Sequence, residues 1–208
     1  MFDIDGTLIN SSSFEDDLYI QAVSSVIHQT FDVNWENYTH VSDAGILDQI
    51  IKVNDILYSR ESIHLKVKTY FINLIKKHLE NEPVKQIPGA SEFINYLKVM
   101  KNVEIAIATG GWEETAKLKL RSAGINISGI SFASSSDHKQ RIEIMRQAEL
   151  RCVQKKFSSK TYFGDAIWDK RASKKLNYNF ILVGNSINNV NQITDYRKIK
   201  NTAKMIGL

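Results

Sequence analysis

The 208-residue chain has one cysteine, two prolines, no low-complexity tract and no long apolar run. Each shortage excludes something. A lone Cys152 rules out an internal disulfide and suits a reducing compartment. Nothing sets it beside a His/Asp pair, so it reads as a core or surface residue and not a catalytic thiol. The scarcity of proline argues against long disordered linkers. No apolar stretch approaches the roughly 20 residues that span a bilayer, which predicts that the chain has no membrane partner. No basic-then-apolar leader precedes the acidic segment at Asp3, and with the single cysteine this predicts a cytoplasmic protein. The net charge of +4 is mild, and its pairs, such as Lys76-Lys77 and Lys155-Lys156, are scattered. Without an aromatic-basic motif they read as solvated helix faces, so no nucleic-acid partner is expected. None of the five histidines forms a pair at zinc-ligand spacing.

Against those shortages stands a dense start. Phe2-Asp3-Ile4-Asp5-Gly6-Thr7-Leu8 places two carboxylates two residues apart, where a short apolar segment meets a turn. Alternate residues of an extended chain point the same way, so Asp3 and Asp5 can face one pocket. Gly6 lets the chain bend away without a Cβ clash. Paired carboxylates raise one another's pKa unless a cation sits between them. Two readings are open for this segment alone. One is a Mg²⁺ site with a nucleophilic and a proton-transferring aspartate; the other is a strand-end turn of ordinary composition.

Further along, Ile105-Ala106-Ile107-Ala108-Thr109-Gly110-Gly111 is an apolar strand ending in a hydroxyl and two glycines. Backbone N–H groups in such a turn can reach a phosphate oxygen, and the helix start that follows favours anions. Ser136-Asp137-His138-Lys139 offers a lysine. Tyr162-Phe163-Gly164-Asp165-Ala166-Ile167-Trp168-Asp169 has the form Gly-Asp-x-x-x-Asp, its two acids on one face of any helical turn that begins there.

Between the first two motifs the apolar residues recur at helical spacing: Leu18, Ala22 and Val26, then Ile46, Ile50, Val53 and Leu57, then Val67, Phe71, Leu74 and Ile75. This predicts an all-helical cap over residues 13–81. From Ile87-Pro88-Gly89 onward, helices expected at 90–100, 113–123, 139–151 and 170–176 alternate with strands expected at 103–108, 130–132, 161–163 and 180–183. That alternation predicts an α/β core over residues 1–12 and 82–208, a Rossmann-like parallel sheet with helices on both faces. Ligands of such sheets bind outside the carboxyl ends of the strands. Asp3, Thr109 and Asp165 each end an expected strand and so share that edge, with the helical insert above it. Only Met1 and Phe2 precede Asp3, so the first strand is expected to be very short or the chain clipped at its start.

The ordered set resembles the haloacid dehalogenase superfamily over nearly the whole chain. Asp3-Ile4-Asp5-Gly6-Thr7 is similar to the Asp-x-Asp-Gly-Thr of its phosphatase members, Thr109-Gly110-Gly111 to its second motif, Lys139 to its third, and Gly164-Asp165-x-x-x-Asp169 to its fourth. The resemblance is to the branch with a helical cap after the first motif, to which phosphoglycolate phosphatase and beta-phosphoglucomutase belong. It implies that Asp3 attacks phosphorus to form an aspartyl-phosphate. It implies that Asp5 protonates the leaving oxygen and then activates water. Thr109, Gly110, Gly111 and Lys139 would bind the phosphate, Lys139 also steadying the nucleophile. Mg²⁺ is the implied cofactor, held by Asp3, the Asp5 carbonyl and Asp165. Asp169 would order the surroundings of the metal through hydrogen bonds. Lys139 departs from the usual Gly-Lys-Pro context, and Arg141 and Lys155-Lys156 are its rivals. Trp168 is expected to pack and not to touch substrate.

In the cap, Thr39-His40-Val41-Ser42-Asp43-Ala44-Gly45 is a polar break between helices. Either Thr39, Ser42 and Asp43 sense the leaving group, or Ser42 or Asp43 simply caps the next helix. The reading is a Mg²⁺-dependent phosphatase, phosphoglycolate-phosphatase-like, acting on a small phosphorylated metabolite as a monomer or homodimer. A phosphomutase of the same superfamily, or a non-catalytic binding protein retaining the fold, is the alternative. A dehalogenase is disfavoured, because it lacks the acid that Asp5 provides.

Overall fold

The computed structural model describes residues 1–56 and 58–208, and the backbone alone of Ser12 and Ser13. The element order is β1 (Ile9–Asn10), α1 (Ser12–Ile27), α2 (Asp43–Val53), α3 (Arg60–Asn81), β2 (Lys85–Gln86), α4 (Ala90–Lys98), β3 (Ala106–Ala108), α5 (Glu113–Ser122), β4 (Ser131–Ala133), α6 (Arg141–Leu150), β5 (Thr161–Gly164), α7 (Ile167–Lys175), β6 (Asn179–Val183), β7 (Gln192–Ile193) and α8 (Ile199–Met205), with a single 3-10 turn at Trp35–Asn37.

The very short first strand is the centre of the sheet. Phe2 donates its N–H to Ala106 and accepts from Ala108, both at 2.9 Å. On the other side the Asp3 N–H reaches the Phe163 carbonyl, and the Phe163 N–H reaches that of Met1, again at 2.9 Å. Residues 1–3 thus join β3 and β4 to β5, β6 and β7, with every pairing parallel. Successive strand residues face opposite layers. Phe2, Ile107 and Phe163 meet α4, α5 and α8 on one side, while Ala106, Ala108 and Tyr162 meet α6 and α7 on the other. The α/β reading with helices on both faces therefore holds.

The segment from α1 to α3 is helical, and its helices close around their own core of Tyr19, Val23, Leu47, Ile50, Val67 and Phe71. Trp112, at the start of α5, joins that core, its ring 6.0 Å from that of Phe71. This plants the edge of the sheet directly under the helices. Of the residues whose spacing predicted these helices, Val53 is helical but 72% exposed at the end of α2, and Leu57 lies outside the described residues. Three features had no forecast. An antiparallel β1–β2 pair ties together the two stretches flanking the helical segment, while β7 and α8 close the far end. Two-residue strands are too short to display a period. No helix among the described residues is long and apolar enough to cross a membrane.

Two helix boundaries differ from expectation in ways that matter for the site. Helix α7 starts at Ile167, so Asp169 lies in its first turn. Helix α6 starts at Arg141, because Gln140 is extended (φ −90°, ψ 124°), and Lys139 stays outside it.

Candidate active site

At the carboxyl edge, the chain leaving residues 1–3 turns at Gly6, the chain leaving β3 turns at Thr109, and the chain leaving β5 presents Asp165. Asp3, Asp165 and Asp169 offer carboxylate oxygens that all lie within 4.8 Å of one another. Gly6 makes this approach possible. Its φ is +72°, and a Cβ there would fall 2.2 Å from Asp165 Oδ2. Asp169 is fully buried, accepting the Ala166 N–H (3.2 Å) and the Tyr162 hydroxyl (3.4 Å).

Burial pushes the Asp3 carboxyl up to about 7 and that of Asp165 up to about 8, neighbouring carboxylates adding to the rise and Arg141 opposing it. Burial likewise raises Asp169. Asp3 Oδ1 has no hydrogen bond among the described residues. Crowded oxygen donors of this kind fit Mg²⁺, which takes hard oxygen ligands and removes the repulsion.

Thr109 is buried, and its Oγ1 accepts the Gly111 N–H at 3.1 Å, which shapes the turn. Gly110 has no room for a side chain: a Cβ would sit 2.5 Å from an Arg141 nitrogen and 3.2 Å from the Val41 carbonyl. One Arg141 nitrogen lies 3.1 Å from Asp3 Oδ1 and 3.2 Å from Asp169 Oδ1, and the other donates to the Val41 carbonyl at 3.3 Å. Burial disfavours the Arg141 charge, but Asp169 and Asp3 outweigh it and hold the guanidinium protonated.

Lys139 is not brought to this cluster. Its carbonyl is held by the Ser42 hydroxyl at 2.7 Å, and its half-exposed side chain turns away to Asp48, 2.9 Å distant. Arg141, named from sequence only as a rival, stands where Lys139 was expected. The physical reason is the late start of α6, which leaves position 139 facing the helical segment and puts position 141 over the sheet edge.

A second cation was missed altogether. Lys119 on α5 is fully buried, its Nζ 2.5 Å from Asp5 Oδ1 and also bonded to Glu15. The Ser11 hydroxyl donates to the same Asp5 oxygen. Burial alone would raise Asp5, yet Lys119, Glu15 and Ser11 together hold its carboxyl below the usual range. Burial and the Asp5 charge push Glu15 well above its ordinary value. A sequence signal existed: Lys119 falls three residues after Ala116, on the stripe that α5 buries with Leu120.

The loop before α2 is built into the structure. Ser42 caps α2 by accepting the Gly45 N–H at 3.1 Å. Asp43 accepts the Trp112 N–H at 2.7 Å and donates its own N–H to the Gly110 carbonyl at 2.9 Å. Both residues also line the cavity. Thr39 does not; its N–H is bonded to Gln49 on the surface. The cavity measures about 320 Å³. Asp3, Asp5, Thr109, Gly110, Gly111, Arg141 and Asp165 form its floor, and Glu15, Asp16, Tyr19, Trp35, Glu36 and Asp43 its roof. Trp168 lines it as well, contrary to a purely packing role.

With this geometry in view, comparison with known proteins places the fold. The sequence matches the haloacid dehalogenase-like hydrolase family over residues 1–183. The chain belongs to that family. No curated protein matches it. Among solved structures, a hydrolase from Pseudomonas syringae is similar at a TM-score of 0.76 and 17% identity, covering 100% of this chain and 98% of that one. CbbY from Rhodobacter sphaeroides, solved in complex with phosphate, gives a TM-score of 0.68 at 15% identity, with 95% and 94% covered. A beta-phosphoglucomutase from Clostridium difficile gives 0.68 at 17% identity, with 98% and 93% covered. At these identities the likeness is one of fold: all three share the haloacid dehalogenase-like architecture from end to end.

Proposed function

We propose that the chain is a Mg²⁺-dependent phosphatase that hydrolyses a small phosphorylated metabolite through a phosphoaspartyl intermediate on Asp3. One observation carries the reading: a buried Asp3, its carboxylate ion-paired to Arg141, lies between the Thr109–Gly111 turn, Arg141 and Asp165 at one small cavity. Asp3, the Asp5 carbonyl and Asp165 would hold Mg²⁺, which when bound neutralises the acids and the phosphoryl oxygens.

In the first half-reaction an Asp3 carboxylate oxygen attacks phosphorus. The Asp3–phosphorus bond forms as the ester O–P bond breaks, and Asp5, taking up the proton that Glu15 holds beside it, passes a proton to the leaving oxygen. In the second, water attacks phosphorus and gives its proton to Asp5, the Asp3–phosphorus bond breaks and phosphate leaves. Arg141 and the N–H groups after Thr109 offset charge on the transferred oxygens, which is most of what phosphoryl transfer asks of a protein. Lys119, Ser11 and Glu15 fix the Asp5 carboxyl, with Glu15 holding a proton beside it.

Residues 13–81 act as the cap. Their loop at 39–45 rests on the phosphate turn through the bond from Asp43 to Gly110 and closes the cavity over the reacting atoms. CbbY is solved in complex with phosphate and the C. difficile protein is named a beta-phosphoglucomutase, which supports weighing a phosphomutase beside the phosphatase. Hydrolysis is favoured here because the roof presents no lysine or arginine among the described residues with which to hold the second phosphate of a mutase intermediate. The test is hydrolysis of 4-nitrophenyl phosphate with Mg²⁺, loss of activity in excess chelator, and recovery when Mg²⁺ is restored. Full activity in chelator contradicts the metal assignment.

A further inference from the structure

The charges around the cavity do not balance, and the imbalance lies on one side. On the floor, Asp3 and Asp169 face Arg141, and a Mg²⁺ ion held there would add positive charge to the same group. Asp5 and Glu15 share buried Lys119. On the roof, Asp16, Glu36 and Asp43 remain. Among the described residues none of the three has an ion-pair partner, and Arg141 is the only lysine or arginine that lines the cavity. Asp43 is partly buried, and only the backbone N–H of Trp112 reaches its carboxylate.

The acids are set among aromatic walls. Trp35 and Trp168 line the same cavity, and the buried Tyr19 ring backs Trp35 edge to face, at 84° with centroids 5.9 Å apart. Asp3 lines the same space with its carboxylate paired to Arg141, and on the phosphatase reading it fixes where the phosphoryl group must sit. The other end of a substrate therefore points to the aromatic walls and the unpaired acids. Faces of Trp and Tyr attract cations, quaternary ammonium above all, and a carboxylate beside them adds to the pull. The same surface repels a carboxylate or a second phosphate. At about 320 Å³ the cavity stands at the small end of the roughly 300–1,000 Å³ typical of ligand sites, so the ester is small.

We propose that the substrate is a small phosphomonoester whose leaving alcohol carries a cationic nitrogen, protonated or quaternary, held by Trp35, Asp16 and Glu36. This rests on the phosphatase reading and deepens it. It also turns away from phosphoglycolate, whose carboxylate would meet Asp16, Glu36 and Asp43 with no cation to receive it.

The experiment compares kcat/KM for three small esters that differ in leaving-group charge: phosphocholine (cationic), glycerol 1-phosphate (neutral) and phosphoglycolate (anionic), with 4-nitrophenyl phosphate as a control for phosphatase activity. The expected order is cationic, neutral, anionic, with about tenfold or more between the extremes, since one facing charge in a partly desolvated site discriminates on that scale. The exposed pair Asp16→Asn and Glu36→Gln, introduced together, should shrink the ratio of phosphocholine to phosphoglycolate toward one. The inference is overturned if the anionic ester is used as well as the cationic one, or if the double variant leaves the ratio unchanged. Should 4-nitrophenyl phosphate and all three esters resist hydrolysis, the phosphatase reading fails. Calorimetric titration of the same three esters into Asp3→Asn protein with Mg²⁺ then decides the inference separately: tighter binding of phosphocholine upholds it, and equal or tighter binding of phosphoglycolate overturns it.

Discussion

Arg141 reaches Asp3 and Asp169 through one nitrogen and the Val41 carbonyl through another, so a single side chain compensates the proposed nucleophile and anchors the loop before α2. A planar fork does this, and an ammonium does not. Arg141→Ala should lower kcat/KM on any good ester by about 10²–10³-fold, the usual loss when one preorganised donor is removed, and Arg141→Lys should recover little of it. Lys139→Ala should stay within a few-fold, because its partner is Asp48 on α2. Equal losses at the two positions would return the third-motif role to Lys139. Most of the cavity floor was legible from residue types at strand ends: Asp3, Asp5, Thr109, Gly110, Gly111 and Asp165 all line it. The cations were not. Positions 139 and 141 differ only in which lies inside the helix, and the extended Gln140 that decides this is set by tertiary contacts. Lys119 sits among Lys117 and Arg121 in the sequence and looks like them, although its neighbours Ala116 and Leu120 are core.

Helices and turns carry the geometry that single residues cannot. The turn at Gly6 brings the first motif against Asp165, and the first turn of α7 brings Asp169 to the same spot. Gly6→Ala has both a positive φ to satisfy and a Cβ 2.2 Å from Asp165 Oδ2, so Asp165 must move. The variant should fold with a cost of about 1–2 kcal/mol for the left-handed backbone. Its Mg²⁺ requirement should rise by an order of magnitude or more, read from activity against Mg²⁺ concentration. An unchanged Mg²⁺ curve would show that the close approach is not needed for metal binding. Helices α1, α2 and α3 were readable because each buries a stripe with a regular period, Val67, Phe71 and Ile75 in α3 being the clearest. The β1–β2 pair was not, since Ile9 and Asn10 show one inward and one outward residue and nothing to repeat.

At the scale of the whole molecule, the fold gathers acids faster than it gathers bases at the sheet edge, and stability should register that. Asp3 and Asp165 are pushed up to about 7 and about 8, chiefly by burial, from the unfolded value of about 3.9. Raised carboxyls bind protons more tightly in the folded chain. Metal-free protein should therefore lose stability as pH climbs from about 4 to about 8, and the penalty is complete above the folded values. Mg²⁺ removes the repulsion only where the acids are ionised, so it should raise Tm more at pH 8 than at pH 5. An equal Mg²⁺ effect at both pH values would contradict this. The central claim is narrower: Asp3 is the nucleophile and Asp5 moves the proton. The most direct measurement is mass spectrometry, with peptide mapping, of Asp5→Asn and Asp3→Asn proteins after brief exposure to 4-nitrophenyl phosphate and Mg²⁺. Asp5→Asn should carry a phosphoryl group on the peptide containing Asp3, because a nitrophenolate leaves without a proton while hydrolysis of the adduct, which needs the base, is slowed by about 10²–10⁴-fold. Asp3→Asn should carry none. A phosphoryl group on Asp3→Asn protein, mapped to another residue, would contradict the account.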